Sequence, residues 1–392
     1  MTKDRYDRLR KYQPALKRQI AVLEPHLLDP STTPNYPACI LVDAALMAYP
    51  VVFFLHGESF EWGSSSLYDG SVLAALGKVI VVTLNYRLGI LGFYNANPDP
   101  LGRPTLANYG LMDQLAALYW VQENIVHFGG DPGQVTVMGH GTGATCLNYL
   151  VISPAATGQY SIIGVLFLYK RRTTFICMFE IMLAITAEYT DWSRSLHQPI
   201  SIRDSTRQGL HDANIVSPMR DLAKQLYTTS RSSYLYVLEE EGSDSGKESL
   251  LLEELAYVFG GPLGALGPLA SSYNFTKMDV TLSKSFISMW SDFIKLGHPK
   301  DTVSTAKMSE NGNNITSEEQ IWPKYDPVYQ RYFQIGTQNF VRDHYRAGKV
   351  ALWSWLLPGL ERVGIRYGPD KNFHRLPTDL QYGLYPELTG GV

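Results

Sequence analysis

Gly139-His140-Gly141-Thr142-Gly143 has the spacing of G-x-S-x-G, a strand-to-helix turn that lifts a nucleophilic serine above the end of a sheet. A glycine, Gly141, stands where the hydroxyl should be, so the position holds nothing that can attack a carbonyl. Glycine also removes the steric cost of a strained backbone, so such a turn can outlast its chemistry. The same five residues equally fit a glycine-rich strand-helix turn that was never an elbow. Thr142 offers a backbone amide there, with a side chain expected to point elsewhere, and His140 is expected to hydrogen-bond locally. A phosphate cradle is excluded, since neither a Lys-Ser/Thr pair nor G-x-G-x-x-G follows.

Ester hydrolysis also needs backbone donors for the oxyanion, usually from a glycine-rich loop after a strand. Val51-Val52-Phe53-Phe54-Leu55 leads into His56-Gly57-Glu58-Ser59-Phe60, which places a carboxylate where a second glycine is usual. By Coulomb's law that charge opposes an oxyanion unless the side chain turns away. The three cysteines, Cys39, Cys146 and Cys177, have neither metal-ligand spacing nor an even count, so neither a disulfide framework nor a zinc site is expected. No cofactor is implied. The acidic stretch 239–248 lacks calcium-loop spacing and is expected to be a solvated loop.

These groups must be held by strands and helices. The continuous apolar runs 51–55 and 79–84 suit strands buried on both faces. Residues 111–125 carry a helical apolar period, 134–138 form a strand before the glycine cluster, 144–152 resume as a helix, and 234–238 form another strand. Strand, glycine turn and helix in succession indicate an α/β fold. Six Lys or Arg among residues 5–18, with Leu9, Tyr12 and Leu16, predict a basic surface helix. The apolar segments 162–169 and 175–187 are split by Lys170-Arg171-Arg172, which argues against a membrane span. A net charge of −3 over 392 residues suggests no nucleic-acid surface. The expected organisation is a basic N-terminal helix and loop over 1–37, one domain over 38–362 with an atypical segment at 161–187, and a tail over 363–392.

The segments His56-Gly57-Glu58-Ser59-Phe60-Glu61-Trp62-Gly63, Val81-Val82-Thr83-Leu84-Asn85-Tyr86-Arg87-Leu88-Gly89, Asn108-Tyr109-Gly110-Leu111-Met112-Asp113-Gln114 and Phe128-Gly129-Gly130-Asp131-Pro132 resemble the type-B carboxylesterase and cholinesterase family. Within it, Glu188-Tyr189-Thr190-Asp191-Trp192, Trp322-Pro323-Lys324-Tyr325 and Val341-Arg342-Asp343-His344-Tyr345-Arg346 resemble the neuroligins, especially insect-like ones. The resemblance implies an α/β-hydrolase fold with a mixed, mostly parallel sheet flanked by helices. It places Leu251 at the catalytic histidine, where a leucine cannot take a proton. It also implies that a long stretch carrying the triad acid and much of the partner-binding surface is missing between the elbow helix and Glu188, so the fold is expected to be incomplete.

Neuroligins are catalytically inactive postsynaptic adhesion proteins that bind neurexins. The resemblance therefore implies a cell-adhesion protein, or a fragment of one, with a neurexin-like receptor as partner and a cell-surface setting. The beginning Met1-Thr2-Lys3-Asp4-Arg5-Tyr6 is not a signal peptide, and no anchor is expected in this chain. The alternative is a carboxylesterase-type hydrolase with a degenerate site. Asn274-Phe275-Thr276 and Asn314-Ile315-Thr316 are N-glycosylation acceptors at Asn274 and Asn314. A homodimer is expected through two apolar helices, 279–296 and 343–357, with Leu282, Phe286, Met289, Trp290, Phe293, Val350, Trp353 and Leu357 at the interface.

Overall fold

The structure, a computed structural model, describes residues 20–23, 48–94, 108–165, 179–193, 198–238, 253–264, 275–299, 303–308, 315–320, 322–336 and 339–360. The expected helix at 5–18, the acidic loop 239–248, and Leu251, Asn274 and Asn314 lie outside these residues. The chain forms two compact units, one from Met1–Lys170 with Ala223–Tyr345 and one from Arg171–Leu222 with Arg346–Val392. The atypical segment 161–187 straddles the first join.

The first unit is built on a five-stranded sheet in the order β1 (Ile20–Leu23), β3 (Ile80–Leu84), β2 (Tyr49–Leu55), β4 (Gly130–Gly139) and β5 (Ile162–Val165). β1 pairs antiparallel with β3, and every other pairing is parallel, with Val52 opposite Val81 and Thr136. The apolar runs do not alternate because both faces are covered. Val51, Phe53, Leu55, Ile80 and Val82 belong to one core, with Leu118 and Val121 of the helix α3 (Tyr109–Asn124) and Leu147 and Leu150 of α4 (Thr142–Ile152). Val52, Phe54, Val81 and Met138 belong to the other. There they meet α1 (Ser71–Gly77), α8 (Glu253–Phe259) and α9 (Lys277–Leu296). A short helix α2 (Gly89–Phe93) follows β3.

A three-stranded sheet in the order β10 (Phe340–Arg342), β9 (Tyr332–Ile335), β6 (Tyr236–Leu238) and a hairpin of β7 (Val303–Met308) and β8 (Ile315–Gln320) complete the first unit. The second unit holds α5 (Phe179–Tyr189), α6 (Pro199–His211) and α10 (Ala347–Ala351), while α7 (Ser217–Thr228) runs across the unit boundary. Two π-helical turns, Asp212–Val216 and Leu352–Leu356, interrupt its helices. The second expected apolar helix therefore starts later than 343, at Ala347, and helical residues continue past Pro358 to Leu360.

The proposed interface residues need correction. Phe286, Met289 and Trp290 are buried in the first unit's own core, and Leu282 and Phe293 pack against it. Trp353 and Leu357 are buried in the core of the second unit, and Val350 is 1% exposed. Periodicity reveals an apolar stripe but not what covers it: the chain itself covers Phe286, Met289 and Trp290, while Leu282 and Phe293 stay partly exposed. What these helices still expose is Met278 and Leu296 on α9, and Trp355 and Leu356 in the second unit.

Candidate active site

β4 ends at Gly139 and α4 begins at Thr142, so the glycine cluster does lie on a strand-to-helix turn. Gly141 sits between them at φ 55° and ψ −124°, a conformation that L side chains rarely adopt. The strained turn expected of a nucleophile elbow is thus present without a nucleophile. Gly143 is required by close approach: a Cβ there would lie 2.2 Å from the Leu55 carbonyl oxygen and 2.6 Å from that of His56.

The space above the elbow is filled by the loop after β2. A Cβ on Gly141 would meet the Gly57 carbonyl oxygen at 2.9 Å, so an acceptor rather than a donor faces the nucleophile position. Glu58 does not turn away. Its Oε1 lies 4.0 Å from the same point and 3.9 Å from His140 Nδ1, and burial raises its carboxyl above the usual range. The amides of Glu61 and Trp62 are turned onto the loop's own Glu58 carbonyl at 3.0 and 3.3 Å. The Thr142 hydroxyl accepts from the Phe60 amide at 3.3 Å and so ties the loop to the elbow.

Beneath the loop, His56 is 1% exposed, and its ring lies 4.8 Å from that of Tyr86 in a stacked pair. Tyr86 donates its hydroxyl to the His56 carbonyl. Burial lowers the His56 imidazole to about 4, and burial pushes the Cys146 thiol up to about 11. Both groups are sealed away from solvent. Among the described residues no cluster of His, Cys, Asp and Glu could hold a metal ion.

The arrangement is a hydrolase scaffold with no side chain at the nucleophile position, a main-chain carbonyl oxygen crowding it at 2.9 Å and a carboxylate oxygen standing 4.0 Å off. The sequence profile of the carboxylesterase family matches residues 38–163 and 167–353. The chain belongs to the carboxylesterase family. Neuroligin-2 of Mus musculus is 27% identical over 441 aligned positions, covering 80% of this chain and 52% of that protein. Neuroligin-3 of Rattus norvegicus is 28% identical over 442, covering 80% and 51%. Cocaine esterase of Homo sapiens is 47% identical over 111, covering 28% and 19%. The chain spans about half the length of the neuroligins it matches.

Eighty per cent of 392 residues is about 314, so more than a hundred of the 441 positions aligned with neuroligin-2 have no residue of this carboxylesterase-family chain opposite them. The family match is itself interrupted between 163 and 167, close to the join of the two units at 170/171.

The motifs that carry the neuroligin resemblance prove to be scaffold. Tyr189 and Arg346, from two of them, meet on Asp212, whose side chain is fully buried. Trp322 of the third stacks on Phe333 at 4.9 Å in the first core. Sequence reasoning missed Asp212 altogether, because its partners lie 134 residues away at Arg346 and 23 away at Tyr189.

Restoring the hydroxyl tests this geometry. Gly141→Ser is expected to give no ester turnover, because the new Cβ collides with the Gly57 carbonyl. It should also lower stability by about 1–3 kcal/mol through the strained backbone. Ester hydrolysis assayed beside thermal unfolding checks both; turnover by this single variant contradicts the blocked-seat reading.

Proposed function

We propose that this chain is a non-catalytic adhesion protein of neuroligin type, or part of one, with a neurexin-like cell-surface receptor as the partner the family resemblance implies, much of the binding stretch being absent from this chain. The observation that carries the reading is the elbow at Gly141, which keeps the hydrolase turn with no side chain at the nucleophile position and the Gly57 carbonyl oxygen 2.9 Å from where a Cβ would stand. The histidine position, occupied by Leu251, adds that no base takes the proton. The likeness to cocaine esterase does not bring hydrolysis with it, since Gly139-His140-Gly141-Thr142-Gly143 contains no serine. The test is binding of the chain to an immobilised neurexin-like ectodomain: retention that a soluble excess of the same ectodomain competes away supports the reading, and none at micromolar chain overturns the partner.

Cell-surface placement is part of the same proposal. No described helix is long and apolar enough to cross a membrane. Thr276 of the first acceptor sequence is the exposed N-cap of α9, in a capping box with Asp279. A cap at the surface is open to modification, so chain passed through a secretory pathway should carry glycan on Asn274 and Asn314. Two mass decrements on enzymatic removal of N-glycans are expected, and an unchanged mass refutes the placement.

The homodimer proposed from the resemblance must use what the two helices leave outside. Trp355, 75% exposed, is the largest apolar side chain left exposed by these two helices, and large aromatics dominate interface energetics. Trp355→Asp should convert a sedimenting dimer to a folded monomer. A dimer that is unaffected by this change does not use this surface.

A further inference from the structure

The two outer strands of the five-stranded sheet are guarded unequally. β1 lies antiparallel at one end, and Arg18, Glu24 and Pro25 flank it in the sequence, the charges and proline that keep an edge from pairing further. β5, Ile162-Ile163-Gly164-Val165, ends the other side and pairs with β4 alone among the described strands. It has none of those guards. No Asp, Glu, Lys or Arg stands between Asp131 and Lys170, and no proline between Pro154 and Pro199. The ladder to β4 runs through all four residues without a shift of register, so no bulge twists this edge away. Alternate residues of a strand turn both their N–H and C=O groups to one side. β4 takes one alternate set, and the other set points away from the sheet with no described strand to receive it.

We infer that β5 is a self-recognition edge, which pairs antiparallel with β5 of a second copy of this chain in the register that sets Ile163 opposite Ile163. A two-fold axis through that point makes the edge its own complement, because the strands then run in opposite directions and every outward-facing residue meets another. In this register Ile162 faces the Gly164 of the second copy, and Gly164 faces its Ile162. The strand carries no charge, so no like-charge pair opposes the register, and a partner selected by charge finds nothing to read. Two-fold pairing also uses the edge up, so it stops at two copies sharing one continuous sheet instead of growing into a fibre. The contact is separate from the helical surface of Trp355, since β5 belongs to the first unit and Trp355 to the second. Four residues bury little surface, which makes the association weak, with a Kd on the order of 100 µM.

The test is hydrogen exchange of the β5 amides, read residue by residue in the full chain at rising concentration. The alternate set bonded to β4 should not respond. The outward-facing set should slow about threefold between about 1 µM and about 300 µM, as mass action requires of a contact this weak. In Ile163→Lys, which sets two lysines opposite each other at the two-fold axis, the response should vanish. No response at any β5 amide, or an equal response at all of them, overturns the inference, and so does a response that survives in Ile163→Lys. Should that variant not fold, the alternation in the parent chain decides alone. The same series with Trp355→Asp separates the two surfaces: a response that remains belongs to β5, and one that disappears belongs to the helices and overturns the inference.

Discussion

Phe286→Asp is expected to unfold the first unit rather than split a dimer. Phe286 is 1% exposed and lies between Tyr236 and Tyr257, each with its ring centroid 6.0 Å away. Truncating a buried phenylalanine costs about 3–5 kcal/mol before any charge is considered. An unpaired carboxylate in the cavity adds several more, against a total stability of about 5–15 kcal/mol for an ordinary domain. Circular dichroism and sedimentation of this variant should show lost tertiary signal or aggregation. A folded monomer instead would place Phe286 at an interface after all.

Arg346→Leu should be nearly as damaging in the second unit. Arg346 Nε and Nη2 donate to the two oxygens of Asp212 at 2.6 and 2.7 Å. Tyr189 donates its hydroxyl to the same carboxylate at 2.7 Å, and Trp353 Nε1 donates to Tyr189 at 2.8 Å. Burial pushes the Asp212 carboxyl up, but the nearby His211 ring, the bonds from Arg346 and Tyr189, and the Arg346 charge more than offset it and hold the group below its ordinary 3.8. Removing the arginine leaves a buried charge uncompensated, a loss of about 3–5 kcal/mol. The folded pKa is depressed, so the parent's advantage is complete above the usual carboxylate range. It should disappear as pH falls through the folded value. Chemical denaturation of both proteins at neutral and strongly acid pH measures this, and an equal difference at both would assign the loss to packing alone.

Much of the first unit was legible because its signals are local. The runs 51–55 and 79–84 read as doubly buried strands and proved so, with odd and even residues of β2 feeding different cores. The elbow was legible as a spacing, but five residues could not distinguish it from a plain glycine turn. The φ of Gly141 and the carbonyl above it did. The loop after Glu58 takes positive φ angles at Ser59 and Phe60, which no sequence rule for those residue types predicts. The Asp212 network was invisible for a different reason: no periodicity links residues joined only by the fold.

This carboxylesterase-family chain keeps the hydrolase turn with a glycine at the nucleophile position. The most direct measurement is stopped-flow hydrolysis of an activated ester by the full chain, followed by intact mass after exposure to a serine-directed organophosphate. No burst, no turnover above buffer and an unmodified mass are expected. A stoichiometric burst, with the organophosphate found on a serine of this chain, would contradict it.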